Sequence, residues 1–168
     1  MLSRVADSLY WLGRYGERTE TNTHVVLTAL DHMLEQSAKE VAYREYWTHV
    51  VGICGFGDRS QLNVKAMTEE QLLSYIICDE ANPNAIIPLI DSVRFNLKNV
   101  RDIIPNELYE VWNELYLDMQ RKEQQAAYSV LETTDFLQKV RRTSLTATGV
   151  IDSLMIRDEY IMVRTTGK

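Results

Sequence analysis

The residues best suited to chemistry lie in the opening stretch MLSRVADSLYWLGRYGERTETNTHVVLTALDHMLE. Steps of three, four and seven residues return to nearly the same side of an α-helix, so Glu17, Glu20 and His24 share one face. This face has two interpretations: a solvated or partner-facing helix surface, or one wall of a metal site between helices. The known carboxylate-bridged metal sites use a Glu-x-x-His pair on each of two helices. Glu20 and His24 stand four residues apart instead, so we predict no metal and no cofactor.

A row of cations on a later helix is the second candidate for chemistry. In SVRFNLKNVRD the row consists of Arg94, Lys98 and Arg101, at spacings of four and three. The row is a solvated face, a set of ion pairs with carboxylates of the opening helix, or an anion or partner-docking site, since Arg binds carboxylate and phosphate in a bidentate manner. We expect ion pairs with Glu17, Asp31 and Glu35, because they would explain both polar faces at once.

Two further features resemble chemical motifs but favour structural interpretations. Cys54 and Cys78 do not form a CxxC pair, and Gly55 rather than a base follows Cys54, so both are expected to be free, inert thiols. The segment GICGFGDRSQ is rich in glycine. It lacks the GK[ST] ending of a phosphate-binding loop and follows no predicted strand, so it is interpreted as a plain loop.

The elements that position these residues are predicted to be helices throughout. Seven glycines and three prolines leave few breaks, and helix-forming residues dominate. We therefore predict an all-α fold, a single multi-helix bundle over residues 1–168 built around a long N-terminal helix. The apolar stripe of that helix is predicted to comprise Val5, Leu9, Leu12, Val26, Leu27, Leu30 and Leu34.

Five more helices are predicted along the chain. The second runs from about Val41 to Val51, and the third starts at a capping box formed by Thr68 and Gln71. The fourth runs from about Ala85 to Ile103, after Asn82 and Pro83, which mark a turn or a cap with the proline just inside the helix. Two helices follow Pro105. Their inward residues are predicted to be Leu108, Val111, Trp112, Leu115 and Met119 on the first, and Phe136, Val140, Leu145 and Ile151 on the second. Basic residues of the last helix, Lys139, Arg141 and Arg142, are interpreted as a solvated face.

Composition excludes several classes of protein. With 168 residues, 45% of them apolar and 25% charged, the chain fits one globular domain with a sizeable core. Its 18 basic and 24 acidic residues give a net charge of −6 without a run of Lys or Arg, which argues against a nucleic-acid partner. No apolar run reaches the roughly 20 residues needed to span a bilayer, and the start lacks the layout of a secretion signal. We expect a cytoplasmic protein without a membrane partner.

The end of the chain resembles its beginning. When Met155 is aligned with Met1, Val163 falls on Leu9, Gly167 on Gly13 and Lys168 on Arg14. We therefore expect that the chain corresponds to the first half of a two-repeat architecture. A half of this kind exposes a docking face, so a homodimer is also expected.

Four stretches together carry a resemblance to a known family. They are MLSRVADSLYWLGRYGERTE, DEANPNAIIPLIDSVRFNLKNVRD, IPNELYEVWNELY and GVIDSLMIRDEY. On these the chain resembles the bacterial alpha-E family, an α-helical domain with a Glu-Arg motif in its first helix. By resemblance, the binding residues stand at three motifs: Arg14, Glu17, Arg18 and Glu20; Arg94, Asn96 and Arg101; and Asp152, Arg157, Asp158 and Glu159.

The resemblance also implies partners. Members of the family are associated with an ATP-grasp ligase and a transglutaminase-like peptidase, which suggests a bacterial system of peptide synthesis or modification. The leading hypothesis is therefore a non-catalytic helical partner or scaffold of an ATP-grasp amide ligase, with no catalytic residue of its own. Two alternatives stay open: an internal ion-pair network that sets the helix register, or an enzyme with a carboxylate base that binds a peptide or other anionic substrate. The cleft of that enzyme would be lined by Glu17, Arg18, Arg94, Arg101, Asp158 and Glu159.

Overall fold

The computed structural model of the chain describes residues 2–35, 40–55, 63–122 and 130–155. These residues form six α-helices and one short 3₁₀ turn, at 64–66, which confirms the all-α prediction. The helices are α1 (Leu2–Glu35), α2 (Glu40–Cys54), α3 (Glu69–Ile77), α4 (Ile86–Asn99), α5 (Asn106–Lys122) and α6 (Val130–Leu154). Most of the predicted glycine-rich loop, and the predicted second repeat after Met155, lie outside the described residues.

α1 is the long helix around which the others are arranged. Its 34 residues span about 50 Å at 1.5 Å per residue. α1 packs on α4 and α6, and α5 packs on the same two helices, so these four close into a bundle. α2 and α3 extend the bundle, because α2 contacts α1 and α3, and α3 contacts α4.

The core of the bundle is continuous and draws on every helix. The predicted stripe of α1 is buried at Leu9, Leu12, Val26, Leu27 and Leu30. α4 contributes six apolar residues to this core, which are Ile86, Ile87, Leu89, Ile90, Val93 and Leu97. Such burial of apolar side chains provides the main driving force for folding. Among the described helices, none combines the length and apolar character needed to cross a bilayer.

The inward face of α6 differs from the prediction at one position. Phe136, Val140 and Ile151 are buried as expected, but Leu145 is 56% exposed. Successive residues of an α-helix are rotated by about 100°, and Ser144 takes the inward position instead, at 3% exposure. The predicted solvated face holds for Arg141 and Arg142, which are exposed, whereas Lys139 forms an ion pair with Asp118 of α5.

Helix limits also differ from those predicted. α2 continues through Gly52 to Cys54, and α4 stops at Asn99, short of the expected Ile103. After Asn99 the chain turns, with the Ile103 amide donating to the Val100 carbonyl at 3.0 Å. Pro83 lies in the turn before α4, whose N-cap is Ala85. The capping box of α3 is confirmed: Gln71 N–H donates to Thr68 Oγ1 at 3.3 Å, and Thr68 N–H donates to Gln71 Oε1 at 2.9 Å.

A buried asparagine joins α2, α3 and the turn that leads into α4. Asn82 is fully buried. Its side-chain amide donates to the carbonyl oxygens of Cys54 and Tyr75, at 3.4 and 3.1 Å, and its Oδ1 accepts from the backbone N–H of Asn84 at 3.1 Å. These bonds satisfy a helix end that would otherwise be buried without partners.

Candidate functional site

The Glu-Arg pair of α1 has two different surroundings. Glu17 is exposed and lines a groove between α1, α5 and α6. Arg18 is half-buried and lies near Cys54 at the end of α2. Burial raises the pKa of the Cys54 thiol to about 12, and the positive charge of Arg18 offsets part of that rise. The pair therefore does not act as one unit, since its two charges face different helices.

The surroundings of Arg18 form a junction between α1 and the end of α2. Asn22 of α1 donates through Nδ2 to the carbonyl of Asn84 at 2.7 Å, and Asn84 donates through its own Nδ2 to the carbonyl of Gly55 at 3.2 Å. A Cβ atom at Gly55 would lie 2.6 Å from the Val51 carbonyl oxygen, so this helix end requires glycine. The junction is held by hydrogen bonds that are internal to the fold, which favours a structural role for it.

The groove on the Glu17 side has a volume of about 440 Å³. Such a volume lies within the range of small-ligand sites. Its lining residues come from α1 (Leu12, Gly13, Gly16, Glu17, Glu20, Thr21, His24 and Val25), α5 (Leu108 and Trp112) and α6 (Ser144, Ala147, Thr148 and Ile151). Two of the four residues predicted at the first motif, Glu17 and Glu20, thus lie at one cavity.

Two cations of the basic row, Arg94 of α4 and Arg101 in the turn after it, pack on α5. The guanidinium carbon of Arg94 lies 3.9 Å from the ring centroid of Tyr116, and its Nε donates to Asn113 Oδ1 at 3.0 Å. The guanidinium carbon of Arg101 lies 4.5 Å from the ring centroid of Tyr109. These are cation–π contacts, which hold the cations against an aromatic face.

The expected ion pairs between this row and α1 are not found among the residues that the structure describes. There, neither Glu17 nor Asp31 is paired with Arg94, Lys98 or Arg101. The side chain of Glu35 lies outside the described part. Arg94 and Arg101 contact tyrosines of the neighbouring helix α5 instead of carboxylates of α1.

The other predicted site residues are spread over the surface and core. Arg14 and Asp152 are exposed on α1 and α6. Asn96 is 7% exposed and donates through Nδ2 to the Ser92 carbonyl of its own helix at 2.8 Å. Arg157, Asp158 and Glu159 lie outside the described residues. Of the six residues predicted to line an enzymatic cleft, Glu17 lies in the groove, and Arg18, Arg94 and Arg101 do not. The other two, Asp158 and Glu159, are outside the described residues.

An exposed group of aromatic side chains on α1 and α4 was not predicted as a site. We call Tyr10, Trp11, Tyr15 and Phe95 the aromatic patch. Trp11 stacks on Tyr15 with ring centroids 5.4 Å apart, and Tyr10 meets Trp11 edge-on at 5.2 Å. Trp11 and Phe95 are 45% and 65% exposed, and together with Tyr15 they border a shallow hollow between the two helices. The signal in the sequence was three aromatic residues within six positions of α1, of which Tyr10 lies on the polar side.

The described residues offer no arrangement for a metal ion. They contain no group of three or more His, Cys, Asp or Glu side chains that could hold one. A second Glu and His at four-residue spacing, Glu45 and His49 of α2, escaped the sequence interpretation, and both are exposed.

Comparison with known proteins identifies the family. The family model named Alpha-E, described as a predicted alpha-helical domain with a conserved ER motif, matches residues 1–168. No curated protein and no solved structure matches the chain. Glu17-Arg18 is the single Glu-Arg dipeptide of the sequence, so the ER motif falls on the pair that separates the groove from the α1–α2 junction. The match spans the full length of the sequence, and the chain belongs to the Alpha-E family.

Proposed function

We propose that this chain is a non-catalytic helical partner or scaffold of an ATP-grasp amide ligase, in a bacterial system of peptide synthesis or modification. The observation that carries the proposal is the aromatic patch. Exposed Trp and Tyr side chains are enriched where protein partners bind most strongly. Trp11 and Phe95 leave about half or more of their surface in water, at 45% and 65% exposure, although both are bulky and apolar.

The chemistry of the reactive side chains supports a non-catalytic role. Cys54 is fully buried, and its pKa of about 12 keeps it a neutral thiol near pH 7. Arg94 and Arg101 stack on tyrosines of α5, so one face of each guanidinium is covered within the fold. Binding of a partner through the aromatic patch does not require Cys54, Arg94 or Arg101 to react.

Two further parts of the proposal concern other partners and location. The transglutaminase-like peptidase implied by the family resemblance is a second candidate for binding, and a homodimer is a third. We place the protein in the cytoplasm, because Cys54 and Cys78 are both free thiols and reducing compartments maintain thiols.

The test is binding of the purified ATP-grasp ligase of the same organism to a variant that combines Trp11→Ala with Phe95→Ala. Removal of a single interface hot spot costs about 2 kcal/mol or more, which corresponds to an increase in Kd of about 30-fold. We expect at least that loss by isothermal titration calorimetry, with an unchanged helical circular dichroism spectrum.

The matched control combines Leu131→Ala with Leu145→Ala on α6. These two side chains are 73% and 56% exposed and lie outside the aromatic patch. Their removal should leave the Kd unchanged. Equal binding by the patch variant and the wild type would refute the proposal, as would absence of ligase binding by the wild type. The peptidase and the chain itself are titrated in parallel.

A further inference from the structure

We propose that the groove between α1, α5 and α6 binds a small organic cation, namely a primary ammonium group carried on an aliphatic chain. The groove lies on α1 residues other than those of the aromatic patch. This inference therefore goes beyond the proposed function and does not depend on it.

The charge of the groove is negative and not neutralised by the described residues. Glu17 and Glu20 both line it, and they are separated by one helical turn, which places their Cβ atoms about 5–6 Å apart. Its described lining residues include no Lys or Arg, and their one histidine, His24, is exposed and has no ion pair with either carboxylate. Within the described part of the chain, neither carboxylate has an ion pair or a hydrogen bond. The groove therefore attracts a cation and repels an anion.

A buried hydroxyl provides a second and independent sign of a ligand. Ser144 of α6 lines the groove at 3% exposure, and its Oγ is buried without a hydrogen-bond partner among the described residues. A buried hydroxyl without a partner loses the free energy of its hydrogen bonds to water. An ammonium group has three N–H donors and no acceptor. It can donate to Ser144 Oγ, once a rotation of the Ser144 side chain turns that oxygen toward the groove, and still pair with a carboxylate of α1.

The apolar walls of the groove determine what kind of molecule can carry the ammonium group. Leu12, Leu108, Trp112 and Ile151 line it, and all four are at least nine-tenths buried. Such walls exclude water from the part of a ligand that they cover, so that part must be apolar. A pocket lined largely by apolar side chains with a few polar groups is the usual form of a small-molecule site. The combination fits an aliphatic amine better than a bare metal ion.

The space itself depends on a glycine. Gly16 lines the groove, and a Cβ atom built on it meets no atom within 4 Å. The Cβ atom of a larger side chain is therefore accommodated at this position, and we expect the rest of that side chain to occupy the groove. Gly149 on α6 has the same open surroundings but is not a lining residue, which makes it a matched control position.

The experiment is a titration of the protein with hexylammonium chloride, followed by the indole N–H signals in ¹⁵N NMR spectra. The chain has three tryptophans, and Trp112→Phe identifies the one that lines the groove. We expect the Trp112 signal to shift in a saturable manner, and the shift to weaken as NaCl is added, because salt screens exposed charges. At the same concentrations, 1-hexanol, which has the aliphatic chain without the charge, should produce no saturable shift.

Two pairs of variants test the site. Glu17→Gln with Glu20→Gln should weaken binding by about tenfold, from the loss of charge-assisted hydrogen bonds. Asp31→Asn with Glu45→Gln makes the same change in net charge at exposed positions outside the groove and should leave the affinity intact. Gly16→Leu should abolish binding, whereas Gly149→Leu should not. Circular dichroism checks that each variant is folded.

The inference is overturned by any of three results. One is equal binding of hexylammonium by the Glu17 and Glu20 double variant and by its control. Another is a Trp112 shift with magnesium chloride that matches the shift with the amine, which would indicate a metal site. The third is binding of a capped lysine tripeptide without binding of the free amine, which would make the groove a peptide-docking surface. Loss of ligase binding in the Trp11 and Phe95 variant bears on the proposed function alone.

Discussion

Adjacent residues of one helix have different physical roles in this protein. Glu17 faces water and a groove, and Arg18 faces the buried end of α2, because successive positions of an α-helix are rotated by about 100°. The same rotation explains Ser144 and Leu145, of which the polar residue is buried and the apolar one exposed. At the residue scale, a measurable consequence is the pH dependence of stability that comes from Cys54, the thiol near Arg18.

Cys54 makes stability depend on pH in the alkaline range. Its pKa is 9.0 in the unfolded chain and about 12 in the fold, mainly because burial disfavours the thiolate. Stability from this group is thus complete below pH 9 and is lost as pH rises toward 12, since the unfolded state releases the proton first. We expect urea unfolding of the wild type to lose about 1.4 kcal/mol more than that of Cys54→Ala between pH 8 and pH 10.

Cys54→Ala is also the control for all other titratable groups, because tyrosines and lysines are present in both the variant and the wild type. An identical loss of stability in the two would mean that Cys54 ionises in the folded protein as easily as in the unfolded chain.

At the scale of the element, a helix start can depend on local side-chain bonds. The start of α3 is the clearest case, since Thr68 and Gln71 satisfy each other's backbone amides. Both bonds lie within four consecutive residues and at an exposed helix start. Such a bond is readable from sequence because it depends on spacing alone.

Replacement Thr68→Ala should destabilise the protein by about 1 kcal/mol, the usual cost of losing an N-cap side chain. Thermal unfolding measures this loss. Thr146→Ala is the matched control: Thr146 is exposed in the middle of α6, where its hydroxyl donates to the Arg142 carbonyl at 2.9 Å. That change should shift stability by less than about 0.5 kcal/mol. Equal shifts for the two variants would contradict a specific capping role.

At the scale of the whole molecule, three segments distant in sequence are tied together by buried amides. Asn82 connects the end of α2, α3 and the turn before α4, and Asn22 extends the connection to α1. Through this junction the position of α2 is coupled to the helix that carries the Glu-Arg motif. Replacement of Asn82, the central residue of this junction, should therefore destabilise the whole fold.

We expect Asn82→Ala to destabilise the protein by roughly 3 kcal/mol, because it leaves two carbonyl groups and one amide in the interior without partners. Asn99→Ala, at an exposed position of α4, should change stability by less than about 0.5 kcal/mol. Chemical denaturation with urea measures both. A loss as small as that of the control would show that water replaces the bonds of Asn82.

The sequence by itself determined the features that depend on local spacing. The all-α class, the buried stripe of α1 from Leu9 to Leu30 and the capping box of α3 follow from helix periodicity and from bonds within four residues. The polar face of α1 with Glu17 and Glu20 was found in the same way. Leu145 marks the limit of such reasoning, since an apolar residue near a stripe need not belong to it.

Only the tertiary structure decided which helices those faces meet. Arg94 and Arg101 stack on tyrosines because α5 lies beside α4. The groove exists because α5 and α6 bring Trp112 and Ser144 to the side of α1 that holds Glu17. Helix periodicity fixes the direction in which each side chain leaves the helix axis. It carries no information about which other helix packs on that side. The partners of a helix face are set by how all the helices pack into a shared core.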